Sequence, residues 1–138
     1  CVQNALTNKN IKVDYKAMPH AIFTSPQIAG VGYTEQELKE KRIKYLVGKY
    51  QYIDTGMGTA LNDEDGFVKI LVDVETRKIL GCHIIGSDAS TLIHEIIVAM
   101  KNDLTVDQIA STVHIHPALS EVIQRACLSV GNESKEEL

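Results

Sequence analysis

The spacing of apolar and polar positions changes along the chain. Residues 21–24 (AIFT) form a short β-like run between Pro19-His20 and Ser25-Pro26, and residues 27–33 (QIAGVGY) form a second extended piece. A proline at position 26 limits strand pairing and favours a bend there. Gly30 and Gly32 lie two apart, share one face of that strand, and leave it bare for close approach by another element. Thr34 with Glu37 is a capping box, so a helix runs from there to about Arg42. Residues 43–53 read as a strand rich in β-branched and aromatic side chains. The glycines of residues 54–59 (DTGMGT) read as a loop, and residues 62–66 as an acidic turn. Residues 67–73 and 79–85 are apolar runs joined by Glu75-Thr76-Arg77-Lys78, which predicts an antiparallel hairpin.

From Ser90 the period becomes helical. Leu92, Ile93, Ile96, Ile97 and Met100 recur at three and four, with Asp88 or Ser90 as the cap. Thr105 and Gln108 form a second capping box, ahead of an inward face of Val106, Ile109 and Ala110. Residues 119–130 make a last helix with Val122, Ile123, Ala126 and Cys127 on one side. Strands first, with one helix among them, and helices afterwards predict an α+β domain: an antiparallel sheet with helices packed on one face. Residues 1–16 read as a lead-in or linker, or a frayed helix end. The domain follows at 17–131, and 132–138 reads as a flexible polar tail.

At 138 residues the chain is one domain. Its net charge of −4 lacks the positive field that a phosphate backbone needs, which argues against nucleic acid. No apolar run is long enough to span a bilayer, so a membrane role is not expected. Cys1, Cys82 and Cys127 are odd in number, widely spaced and form no C-x-x-C pair. A disulfide framework and a cysteine zinc site are therefore not expected, and a reducing, cytoplasmic setting is the simplest. The first residue is Cys and not Met, which leads us to expect a piece of a longer chain.

The chemistry-bearing stretch is His114-Ile115-His116-Pro117-Ala118-Leu119-Ser120-Glu121. Pro117 suits the first turn of the last helix, which sets His116 at its entrance and Glu121 about one turn inside. A carboxylate on one ring nitrogen fixes the tautomer and leaves the other nitrogen as a proton carrier. The positive helix end works against the imidazolium, so the sign of any shift stays open. An ordinary hydrogen-bonded histidine at a helix start explains the same spacing. His114 and His116 form H-x-H, but two histidines without a third ligand make no metal site, and none is expected. His20 and His83 read as structural. His94 and Glu95 read as solvated or as part of a dimer surface, and Cys82 and Cys127 as buried small hydrophobes. Asp63-Glu64-Asp65 lacks calcium-loop spacing and reads as a solvated turn. Tyr33, Tyr45, Tyr50 and Tyr52 fit either a contact surface or partial burial in the sheet.

Three motifs in order carry a resemblance. Residues 19–32 (PHAIFTSPQIAGVG) resemble the opening of the C-terminal dimerisation domain of flavoprotein disulfide reductases, the pyridine nucleotide-disulfide oxidoreductases. Residues 81–86 (GCHIIG), followed by an Ile- and Glu-bearing helix, are similar to its centre, and His114-x-His116-Pro117-x-Leu119-Ser120-Glu121 to its terminal motif. Within the family the chain most resembles dihydrolipoamide dehydrogenase; glutathione, mycothione and mercuric reductases are alternatives.

The resemblance implies a homodimer in which His116 reaches the partner subunit's active site. There it would serve as acid/base toward a dithiol or disulfide substrate such as a lipoyl group, with Glu121 holding its ring. It also implies that the backbone of His116 and Pro117 lies near the partner's flavin. FAD and NAD(P) belong to the implied full-length enzyme. No cofactor is expected in this chain, which lacks the C-x-x-x-x-C disulfide and the G-x-G-x-x-G fingerprint. The FAD and NAD(P) domains are expected to precede Cys1, and the chain alone is expected to be inactive. A stand-alone, non-catalytic dimerisation or binding module is the reading from another class.

Overall fold

The computed structural model describes residues 2–131. The tail expected at 132–138 lies outside the described residues. Five strands form one antiparallel sheet: β1 (Pro19–Ile22), β2 (Gln27–Gly32), β3 (Tyr45–Gln51), β4 (Phe67–Asp73) and β5 (Ile79–Gly86). Their spatial order is β1-β2-β5-β4-β3. The β4–β5 hairpin sits at the centre, pairing Val68 with Ile84 and Ile70 with Cys82. Both strands are therefore flanked by partners and carry the most apolar sequence in the sheet.

Six α-helices complete the described chain: α1 (Val2–Thr7), α2 (Glu35–Glu40), α3 (Gly56–Leu61), α4 (Ala89–Lys101), α5 (Val106–Ala110) and α6 (Glu121–Ser129). The two long helices share one sheet face. Ile93, Ile96 and Ala99 of α4 and Val122, Ile123 and Ala126 of α6 join Val68, Ile70, Val72, Cys82 and Ile84 in one core. Each of these side chains is essentially removed from water, so truncating one such as Ile96 to Ala costs about 2–5 kcal/mol. The short α2 lies against the opposite face. Its Glu35 bonds Lys69, which alternates with the core-facing Val68 and Ile70. Glu35 also accepts from the Tyr45 hydroxyl at 2.8 Å and pairs with Lys39. The Tyr45 hydrogen bond, then those from Lys69 and Lys39, hold its carboxyl down at about 2.

Both capping boxes form as expected, Thr34 with Glu37 and Thr105 with Gln108. Asp88 takes the N-cap position of α4 but makes no side-chain bond; Ser90 instead bonds Gln27 of β2 through Oγ at 2.9 Å. The bare face at Gly30 is filled by imidazoles: a Cβ there would stand 2.7 Å from His20 Cε1 and 2.9 Å from His83 Nδ1. His83 Nε2 donates to the Tyr33 carbonyl at 3.0 Å, so both histidines are structural parts of that face. At Gly32 the backbone has φ +76°, and a side chain would strike the Leu80 carbonyl.

Three expectations need correction. Residues 54–59 are not an open loop. A 3₁₀ turn at Tyr52–Asp54 runs into α3, which Thr55 caps by accepting from the Gly58 amide. The physical cause is Tyr52, fully buried with its hydroxyl on the Ser87 carbonyl; it drags the glycine-rich segment inward, where only Gly58 fits against the Tyr52 carbonyl. The strand expected over 43–53 correspondingly ends at Gln51. The lead-in, whose reading included a frayed helix end, contains helix α1 and is tied to the end of α4 by Lys16–Asp103 at 2.7 Å and by Lys101–Asp14. Asp63, expected to be solvated, accepts from the Ser87 amide at 2.8 Å.

Of the four tyrosines around the sheet, Tyr52 is core, Tyr45 and Tyr50 are half-buried, and Tyr33 is exposed. Cys82 and Cys127 are buried free thiols; burial pushes Cys127 up to about 12 and raises Cys82 further. Among the described residues, no helix is long and apolar enough to cross a membrane.

Candidate functional site

Helix α5 ends at Ala110, and the chain crosses to α6 as an extended strap, residues 111–120. Residues 113–117 make no backbone–backbone hydrogen bond among the described residues, so side chains fix this strap. Gln124 of α6 donates its amide to the carbonyls of Ala110 at 3.2 Å and Thr112 at 2.8 Å. The His116–Pro117 peptide is cis. Pro117 does not open α6, contrary to expectation. Ala118, Leu119 and Ser120 form a tight turn, and the helix proper starts at Glu121 after Ser120. The entrance is occupied by the Glu121 carboxylate, which takes the Ala118 amide at 3.1 Å.

His116 and Glu121 come together as their spacing foretold. His116 Nδ1 lies 2.9 Å from Glu121 Oε1. The His116 side chain is 74% exposed, that of Glu121 only 11%. The His116 hydrogen bond, and then the Ala118 amide, lower the Glu121 carboxyl below its ordinary value. Glu121 is thus a carboxylate through the neutral range. Facing it, Nδ1 carries the proton and a neutral ring presents its Nε2 lone pair outward. That is the arrangement of a base that takes a proton from an external donor and returns it. Behind the ring stands α3: a Cβ on Gly56 would meet His116 Cε1 at 3.6 Å and Pro117 Cβ at 3.8 Å. The segment read from sequence as a loop is therefore the back wall of the site.

The H-x-H pair does not converge. His114 Nδ1 bonds the Thr112 carbonyl at 2.9 Å and Nε2 bonds Glu95 at 3.0 Å, so both ring nitrogens are occupied. Glu95, read as solvated or as part of a dimer surface, is the partner of His114; nineteen residues separate them, and no local spacing signals the pair. His94 stays exposed and bonds only its own helix at the Thr91 carbonyl, 3.3 Å away. Among the described residues no group of three metal-ligating side chains converges.

Residues 18–127 match the dimerisation domain of the pyridine nucleotide-disulphide oxidoreductases. The chain is 39% identical over 129 residues to a leghemoglobin reductase of Glycine max, covering 94% of this chain and 24% of that protein. It is 43% identical over 117 residues to a dihydrolipoyl dehydrogenase of Corynebacterium glutamicum, covering 82% of this chain and 24% of that one. Among solved structures, LpdA of Mycobacterium tuberculosis superposes with a TM-score of 0.82 at 26% identity, over 91% of this chain and 28% of that one. RclA of Escherichia coli, a flavoprotein disulfide reductase, gives 0.85 at 24% identity, which speaks for the fold alone; it covers 92% of this chain and 29% of that one. The chain thus spans about a quarter of the length of the curated relatives it matches. The sheet with its two long helices, the strap and the family match agree: this chain belongs to the dimerisation-domain family of the pyridine nucleotide-disulphide oxidoreductases, with dihydrolipoyl dehydrogenases among its relatives.

Proposed function

We propose that this chain is the interface domain of a longer, dihydrolipoamide dehydrogenase-like flavoprotein. In it the domain forms the homodimer and lends His116 and Glu121 to the partner subunit's active site. The observation that carries this reading is the exposed His116 ring held by a shielded carboxylate, with its outer nitrogen free. Among the described residues Nδ1 carries the ring's hydrogen bond, and the ring's exposure leaves it accessible to a group from outside the domain. The exposed apolar side chains of Val98 on α4 and of Val113 and Ile115 on the strap supply surface for a second copy.

The reacting partner is a dithiol such as a dihydrolipoyl group. His116 Nε2 takes the proton of one thiol, and the resulting thiolate attacks a redox disulfide elsewhere in the protein. In the reverse direction the imidazolium returns the proton to a leaving thiolate. Glu121 keeps the ring oriented and stabilises the charge that forms on it. FAD supplies the electron transfer when bound by the rest of the protein, with NAD(P) as the second carrier. His116 and Pro117, both exposed on a strap that is otherwise tied down, fit a place beside the partner's flavin. Two buried free thiols fit a reducing compartment, the cytoplasm in the simplest case.

The test is His116→Gln in the full-length flavoprotein, assayed with a dihydrolipoyl substrate. Turnover is expected to fall by roughly 10²–10⁴. Near-normal turnover overturns the acid/base role and leaves a dimerising module.

A further inference from the structure

His114 stands two residues ahead of His116, yet its side chain is 7% exposed against 74%. It points back into the domain, toward the middle of α4. Glu95 sits there between the core residues Ile93 and Ile96, on a helix that packs into the core. The Thr112 carbonyl only accepts, so His114 Nδ1 carries a proton. A neutral ring and an ionised Glu95 would then set lone pairs face to face at Nε2; the 3.0 Å contact needs a proton between them, on the ring or on the carboxyl. The bond joins α4 to a strap that has no backbone ladder of its own. Gln124 fastens the same Thr112 carbonyl from α6. The strap is therefore clamped on both sides immediately before His116.

We propose that Glu95, acting through His114, is a positioning residue for His116: the clamp fixes where the His116 ring stands when it meets the substrate of the partner subunit. The inference rests on the reading of His116 as the acid/base. Removing Glu95 leaves Glu121 to orient a ring whose strap is held from α6 alone and can shift. A displacement of about 1 Å at a reacting group costs up to about 10² in rate.

The experiment is a double-mutant cycle in the full-length flavoprotein, using steady-state kinetics with a dihydrolipoyl substrate. Glu95→Ala is expected to lower kcat by roughly ten- to a hundredfold with little change in KM. Glu95→Gln is expected to stay within about threefold, because its amide N–H donates to His114 Nε2 and preserves the link. In the His116→Gln background, Glu95→Ala is expected to lower kcat no further, since the residue it positions is gone. A full additional loss in the double variant overturns the proposal, as does wild-type turnover in Glu95→Ala beside an impaired His116→Gln. Near-normal turnover in His116→Gln itself overturns the acid/base reading, and the clamp's role with it. Should Glu95→Ala fail to form a flavin-loaded dimer, His114→Gln takes its place in the same cycle.

Discussion

Two histidines of one strap each pair with a carboxylate from a helix, Glu95 of α4 and Glu121 of α6, and the pairs are built in opposite senses. In the His116–Glu121 pair the ring is exposed and the carboxylate shielded; in the His114–Glu95 pair the ring is shielded and the carboxylate half-exposed. Bond lengths do not distinguish them, at 2.9 and 3.0 Å. What differs is the second nitrogen. His116 keeps Nε2 open, whereas His114 spends Nδ1 on the Thr112 carbonyl. A histidine with one bonded nitrogen can exchange a proton with a visitor; one with both bonded can only hold things together. The chemistry of a histidine is thus set by its unspent nitrogen and not by whether it has a carboxylate partner.

The sharpest way to break this contrast is to swap the measurements. Turnover should collapse in His116→Gln while resistance to urea stays within about 0.5 kcal/mol of wild type, as at an exposed position. His114→Gln should do the reverse in kind: it leaves a half-buried Glu95 and the Thr112 carbonyl short of a partner and costs about 1–3 kcal/mol in urea unfolding. Equal destabilisation by both variants would erase the distinction.

Glu121→Gln comes next. It removes the charge that stabilises the imidazolium but keeps an acceptor for Nδ1, so kcat should fall by roughly ten- to a hundredfold, less than in His116→Gln. Turnover equal to that of wild type in steady-state assays would show that the charge of Glu121 contributes nothing and that it only orients the ring.

Glu35 offers a control far from both pairs. Its folded value of about 2 lies below the ordinary 4.5, so its contribution is complete above pH 4.5 and is lost as pH falls toward 2. Glu35→Gln should therefore remove stability at neutral pH and flatten the acid limb between those values, as followed by circular dichroism. An unchanged acid limb would mean that the Tyr45 and Lys69 bonds contribute nothing in solution. The smallest expected effect is that of zinc. With His114 occupied on both nitrogens, calorimetric titration should show no binding tighter than about micromolar to H-x-H.

Much of this was legible in the chain. The β4–β5 hairpin announced itself through two apolar runs around a polar turn, and α4 and α6 through apolar spacing; periodicity reports a burial that the sheet then satisfies. His116 and Glu121 were legible because five residues across a tight turn bring them together by local geometry. Helix α3 was not, since Gly56 and Gly58 disfavour helix on their own and Gly58 is drawn in against the backbone of the buried Tyr52. The Glu95–His114 clamp was equally hidden. It depends on α4 and the strap meeting across the core, and no spacing along the chain encodes that meeting.

The two described thiols lie beneath these surfaces, Cys82 at the sheet centre and Cys127 on the inner side of α6. Raised as they are, they form almost no thiolate at neutral pH. In the role proposed above, reactive thiols at these two positions would offer wrong turnings to a passing mixed disulfide. Cys82 and Cys127 are mute to that traffic, and an alkylating reagent applied to the folded protein reports on cysteines other than these two.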